Sequence, residues 1–213
     1  MKSITEYIKE EYWTSTSTLD VAGKSKIKKK KVKITDKNIK DIVTRILKED
    51  PNANLNCLDV SHVTDMSYLF ENLENINPDI SEWDVSNVEN MQYMFCGCKK
   101  FNCNISYWDV NNVIDMKCMF CGCENFNQDL SHWDVSHVKY MFAMFYNCKN
   151  FNQDLSQWDV SNVVDMSSMF EGCKSFNQNL SKWNVSNVKY LKYMFGKCDS
   201  MKDSYRPRFN TKY

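Results

Sequence analysis

From Leu55 to Met201 the apolar residues return in a fixed order, and one copy shows the pattern. Leu130, Trp133, Val135 and Val138 follow the L-x-x-L-x-L-x-x-L spacing of leucine-rich repeats. Trp133 and Val135 alternate as residues of a half-buried strand do, with both side chains inward. Val138, Met141, Met144, Phe145 and Cys148 then fall three or four positions apart, or adjacent, which predicts one buried face of a short helix. Ser136 stands where the N-cap of that helix belongs. In a sister copy, Ser86 is followed by Glu89, the spacing of a capping box. Gly97, Gly122 and Gly172 come just after the predicted helix, where a left-handed residue ends it.

The unit repeats. Trp83, Trp108, Trp133, Trp158 and Trp183 share one spacing, and the block from Phe126 to Ser136 recurs at 151–161 and 176–186, with a relative at 101–111. A period of this size marks a solenoid, a propeller or an array. The fold expected is an α/β repeat solenoid, leucine-rich-repeat-like, with one short strand and one short helix in each 25-residue copy and a helical N-terminal cap. No copy can bury its apolar edges alone, so stacking should form ladders: Trp83 to Trp183, Met94 to Met194, Phe95 to Phe195 and Phe101 to Phe176. The first copy diverges, with Leu58 in the tryptophan slot and Leu73 in a cysteine slot. Upstream, Ile39, Ile42, Val43, Ile46 and Leu47 describe an amphipathic helix, capped by Thr35 or Asp36, ended by Asp50-Pro51, and placed to lid the open core. Residues 4–13 read as a further short helix. Three segments follow: an extension and capping helix over 1–54, about six repeats over 55–201, and a basic tail over 202–213.

The copies carry the motif M-F-x-G-C-x-x-F-N-Q-D-L-S-x-W-D-V-S-N-V-x-D-M. This closely resembles the BspA-like leucine-rich-repeat family, also seen in mycoplasma surface lipoproteins and in proteins of large DNA viruses and protists. Ile34 to Lys40 resembles the helical lead-in of that family, and the resemblance spans roughly residues 34–201. It implies a non-catalytic repeat scaffold. Bacterial members are typically exported; the Lys/Asn/Ile-rich composition and the thiol-rich chemistry here fit a viral or protist member, in the cytoplasm or a virion.

Charge and composition narrow the classes. No apolar run reaches the length of a membrane span, and the opening Met1 to Tyr7 lacks the apolar core of a secretory signal, so an intracellular protein is expected. Cysteines should then be reduced. Acids outnumber bases within the repeats and the reverse holds at both ends, which argues against the repeat body as a nucleic-acid binder. The basic stretch Lys24 to Lys33 is the exception. It reads either as a site for an anionic partner or import receptor, or as a solvated strand or loop with Ile27, Val32 and Ile34 on the body.

Candidate chemistry is sparse. Cys98, Cys123, Cys148, Cys173 and Cys198 form a ladder that fits buried small hydrophobes. Cys96, Cys103, Cys118 and Cys121 lie outside it, and four thiolates could hold zinc in a thiol- or zinc-dependent protein. Asp84, Asp109, Asp134 and Asp159 read as cation ligands or as acceptors for turn amides. Asn77, Asn102, Asn127, Asn152 and Asn177 match a ladder that satisfies backbone groups at a bend. The three histidines, His62, His132 and His137, form no triad with a serine or cysteine and an acid. Five glycines make no phosphate loop. Neither an enzyme nor a cofactor is expected.

The slot before each tryptophan varies: Glu82, Tyr107, His132, Gln157, Lys182. Alternation with the inward tryptophan sends these residues outward, beside the aspartate row. They are the candidate surface for an unidentified protein partner. The rival expectations are the thiol- or zinc-dependent protein and a purely structural particle component.

Overall fold

A computed structural model describes residues 16–19, 25–28 and 32–209 of the chain. The helix expected over residues 4–13 lies outside them. Strand β1 (Thr16–Leu19) pairs antiparallel with β2 (Ser25–Lys28), inside the basic stretch. Strand β3 (Val32–Lys33) pairs in parallel with β4 (Leu58–Asp59) of the first copy. Val32 and Ile34 are buried there, so this end of the basic stretch is anchored to the body.

Helix α1 (Ile39–Glu49) buries Ile39, Val43, Ile46 and Leu47, the face its periodicity marks. Its N-cap position is Asn38 rather than Thr35 or Asp36, and the Asn38 side chain accepts from the Thr35 backbone N–H at 2.8 Å. Asp36 instead reaches the first copy. Its carboxylate accepts from the Thr64 N–H at 2.9 Å, the Thr64 hydroxyl at 3.0 Å and the Asp65 N–H at 3.3 Å. Burial acts to raise its pKa, but these hydrogen bonds outweigh it and hold the carboxyl below the usual range.

The copies pair one period apart. Single parallel bridges link Asp65, Asn90, Asp115, Tyr140, Asp165 and Tyr190 in succession. From each bridge a strip of alternating bonds runs on. Met91, Tyr93, Phe95 and Gly97 donate N–H to the carbonyls of Asp115, Lys117, Met119 and Cys121, at 2.7 to 2.9 Å. Met94, Cys96 and Cys98 donate back to Met91, Tyr93 and Phe95, at 3.0 to 3.2 Å. One set joins copies; the other closes turns within a copy.

This strip occupies the segment where sequence spacing predicts a helix. Among the described residues the helix is absent there, and the segment is a succession of turns. A turn closed from residue i to i+3 brings every third or fourth side chain to one side, so the spacing of Met91, Met94, Phe95 and Cys98 suits it as well as a helix. The backbone settles the matter: Tyr93 has φ 57° and Gly97 has φ 78°. A positive φ at the third residue is the mark of a type II turn and has no place inside an α-helix. Gly97 does take the left-handed conformation, but in a turn rather than at a helix end. The Trp133 to Val135 segment lies between two turns, outside any named strand. Ser86 caps no helix; its hydroxyl donates to the Asp84 carboxylate at 2.6 Å.

The interior holds the expected ladders. Trp83, Trp108, Trp133, Trp158 and Trp183 are all buried, and each indole N–H donates to a carbonyl of the preceding copy: Leu55, Ile80, Ile105, Leu130 and Leu155, at 2.9 to 3.2 Å. Phe95, Phe120, Phe145, Phe170 and Phe195 stack with ring centroids 5.6 to 5.7 Å apart. Phe120 also meets Phe126 at 4.2 Å. Stacked rings at such distances add to the area they bury.

Candidate partner-binding row and cysteine cluster

The turn that carries each tryptophan also fixes the residue before it. Trp133 N–H closes on the Leu130 carbonyl at 3.1 Å, and Ser131 N–H donates to the Asp129 carboxylate at 2.9 Å. His132 sits at the outer tip between them. Its equivalents Glu82, Tyr107, Gln157 and Lys182 are exposed too, and Tyr107 is 88% exposed. Asp84, Asp109, Asp134 and Asp159 are exposed on the next turn. A shallow depression brings two neighbouring copies of the row together, lined by Tyr107, Asp109, His132 and Asp134.

The aspartates act as turn acceptors. Asp84 accepts from the Ser86 N–H at 3.1 Å, Asp109 from Asn111 at 3.2 Å, Asp134 from Ser136 at 3.0 Å and Asp159 from Ser161 at 3.0 Å. Asn184 does the same for Ser186 at 3.2 Å. Hydrogen bonds from the Ser136 and Ser161 hydroxyls and amides hold Asp134 and Asp159 below the usual carboxyl range. Asparagines tie adjacent copies on another side. Asn102, Asn127, Asn152 and Asn177 N–H groups each donate to the asparagine side chain one period back, at 2.8 to 3.0 Å.

Among the described residues no group of three or more histidines, cysteines or acids is arranged to hold a metal ion. The four candidate zinc ligands do not converge. Cys103 lies apart beside Ile80 and Asp79, where burial raises its pKa. Cys96, Cys118 and Cys121 lie near enough to perturb one another's titration: Cys121 lowers the pKa of Cys96 and of Cys118, those two raise that of Cys121, and Tyr93 lies beside Cys118. The ladder cysteines are free and buried, each thiol donating to a carbonyl; Cys123 reaches Phe95 at 3.0 Å and Cys148 reaches Phe120 at 2.9 Å. Burial pushes Cys98 up to about 12 and Cys123, Cys148 and Cys173 well up. His62 contacts only the neighbouring Ser61 hydroxyl at 3.0 Å among the hydrogen bonds of the described residues.

Two further features lie outside the variable row. Cys118-Met119-Phe120-Cys121 is a C-x-x-C spacing, visible in the chain but overlapped by the C-x-C spacing of Cys121 and Cys123. An aromatic edge also forms on the turn strip: Tyr68 stacks on Tyr93 at 4.9 Å, and Lys117 lies 4.1 Å over the Tyr140 ring, beside exposed Phe142. These slots hold aromatics in some copies, Tyr190 and Tyr193 among them, and small or polar residues in others, so periodicity gives only a broken signal for them.

Residues 37–156 and 123–212 match the model of a family described as "Mycoplasma protein of unknown function, DUF285". The chain belongs to this family. No curated protein and no solved structure matches it. Among the described residues no helix is long and apolar enough to cross a membrane.

Proposed function

We propose that the chain is a non-catalytic protein-binding scaffold, a leucine-rich-repeat-like solenoid of the BspA-like kind in which each 25-residue copy forms one coil. The observation that carries this reading is the contrast within each turn. Tryptophan and aspartate slots repeat and are locked by hydrogen bonds, while the outer slot between them changes in every copy through Glu82, Tyr107, His132, Gln157 and Lys182. A rigid backbone that presents one freely varied row has the form of a recognition surface, because ordering of the binder is complete before the partner arrives. Tyr107 and His132 lie at its centre, on either side of the shared depression. An intracellular or virion setting belongs to the same reading and is supported by composition and by ladder thiols that lie buried and unpaired.

Immobilised wild-type chain should retain a protein that Tyr107→Ala/His132→Ala loses, with the melting curve unchanged. Exposed substitutions of this kind usually shift stability by no more than about 0.5 kcal/mol. Retention by that variant and loss by Tyr140→Ala/Phe142→Ala would move the surface to the aromatic edge.

A further inference from the structure

Three cysteines occupy slots that stacking does not require. The slot of Cys96 and Cys121 holds Glu71, Tyr146, Glu171 and Gly196 in the other copies, and that of Cys118 holds Tyr68, Tyr93, Ala143, Ser168 and Tyr193. The two adjacent copies nonetheless bring all three together. Cys96 and Cys121 are equivalent residues on neighbouring rungs, set in register by the Gly97 N–H to Cys121 carbonyl bond at 2.7 Å. Neighbouring extended segments lie about 4.8 Å apart, within the Cα separation that a disulfide spans. Cys118 and Cys121 bracket one turn, closed by the Cys121 N–H to Cys118 carbonyl bond at 3.1 Å. Cys96 and Cys121 are half-buried and open to a small reagent, whereas Cys118 is buried.

We propose that Cys96 and Cys121 form a reversible dithiol–disulfide pair that reacts with hydroperoxides, with the turn from Cys118 positioning the Cys121 sulfur. In the first step the Cys96 thiolate attacks the outer oxygen of the hydroperoxide. The O–O bond breaks, Cys96 becomes a sulfenic acid, and the hydroperoxide leaves as an alcohol, or as water from hydrogen peroxide, after taking a proton from solvent. In the second step the Cys121 sulfur attacks the Cys96 sulfur. The S–O bond breaks, and the departing hydroxide leaves as water with the Cys121 proton. Two thiols lose two electrons, and one peroxide gains them.

The electrostatics favour these roles. The Cys121 thiol beside it holds Cys96 below its ordinary pKa, against the opposing effect of burial, and acts likewise on Cys118, which is buried away from reagents. Cys118 and Cys96 beside it, with burial, raise the pKa of Cys121 and favour its protonated form. A thiolate of lowered pKa next to a resolving cysteine is the arrangement of peroxide-reactive sites. The ladder thiols differ in both respects: burial raises the pKa of Cys98 and Cys123 and shuts out reagents.

The test treats the reduced full-length protein with one equivalent of hydrogen peroxide, blocks remaining thiols by alkylation, and maps peptides by mass spectrometry. A linked peptide pair carrying Cys96 and Cys121, reversed by dithiothreitol, is expected. Cys96 should react at least about tenfold faster than Cys98 or Cys123, as thiolate character and exposure dictate. Cys121→Ser should leave Cys96 as a sulfenic acid that a dimedone probe traps, and Cys96→Ser should abolish the link. Both variants are expected to fold, since the slot already accepts glutamate, tyrosine and glycine. A Cys118–Cys121 link in the wild type, or oxidation of Cys96 no faster than that of the ladder cysteines, would overturn the proposal.

Discussion

At the scale of single residues, each copy rests on a few side chains that close backbone groups as well as fill space. Trp133 is one. Its ring is buried and its N–H donates to the Ile105 carbonyl at 3.1 Å. Trp133→Ala removes the ring between two copies held apart by their own bonds, so the cavity cannot collapse; a loss of about 3 to 5 kcal/mol is expected in denaturant melts. Trp133→Phe keeps an aromatic ring but strands that carbonyl, and about 1 to 3 kcal/mol should go. Gly172 works through the backbone. Its φ is 76°, and a Cβ there would run into the Asn147 side chain. Gly172→Ala should cost about 1 to 2 kcal/mol for the left-handed conformation alone. Adding Asn147→Gly should relieve the clash and leave the backbone cost at position 172 in place.

At the scale of elements, the turn is the unit, and here the legibility of the sequence divides. The amphipathic face of α1, its end at Asp50-Pro51 and the inward tryptophans were all readable, because burial imposes the same spacing whatever the backbone does. The strand-and-helix assignment inside a copy was not. Met91, Met94, Phe95 and Cys98 suit a helix and a chain of i to i+3 turns equally, and left-handed residues at Tyr93, Cys118, Ala143 and Ser168 are not residue types that announce a turn. The outer row was legible from alternation and turn chemistry together: Glu82, Tyr107, His132, Gln157 and Lys182 are exposed beside buried tryptophans. Convergence of Cys96, Cys118 and Cys121 was legible only in part, since register between copies decides which slots touch. The turn acids also set the response to low pH. Asp36, Asp79, Asp129, Asp134 and Asp159 all titrate below their ordinary values in the folded chain. A depressed folded pKa gives stability that is present above the unfolded value and lost as pH falls through the folded one. Melting temperature should therefore hold above about pH 5 and drop as the pH falls from about 4. Asp36→Asn should remove part of that drop and loosen α1 from Thr64, read as faster hydrogen exchange in the helix.

The ladder cysteines carry the same linkage to the opposite end of the scale. Burial raises Cys98 to about 12, and Cys123, Cys148 and Cys173 move the same way. Above the ordinary thiol value the unfolded chain has released these protons while the folded core still holds them, so stability falls as pH rises. Unfolding by urea should become easier from about pH 9 upward. Cys148→Ala should flatten that slope even as it lowers stability overall. A slope unchanged by this substitution would mean that the Cys148 thiol is not the buried, neutral donor to the Phe120 carbonyl found here.

At the scale of the molecule, the bonds between copies have a direction, and the direction sets how the chain comes apart. On the turn strip each copy's N–H groups are held by carbonyls of the copy that follows. Met166, Ser168, Phe170 and Gly172 donate to Tyr190, Lys192, Met194 and Gly196 at 2.8 to 2.9 Å. Protection of one copy therefore lasts only while the next stays docked. The first copy is covered by α1, whose Ile39, Val43 and Leu47 are buried, and Asp36 just before the helix grips Thr64. The last is held less firmly. Leu191 and Phe195 are only half-buried, and the cover is a short segment in which Leu180 N–H reaches the Tyr205 carbonyl at 2.8 Å and Arg206 lies 5.4 Å from the Phe195 ring. Stability that is a sum over neighbours frays from its weaker end. Native-state hydrogen exchange should thus be slowest for Met116, Cys118 and Phe120, faster for Met166, Ser168 and Phe170, and should shift in that order as denaturant is added. Arg206→Ala should speed exchange at the second group and leave the first unchanged. Equal rates throughout, or loss of protection beginning at α1, would show that the copies unfold as a single block or that the helix is the weaker cap.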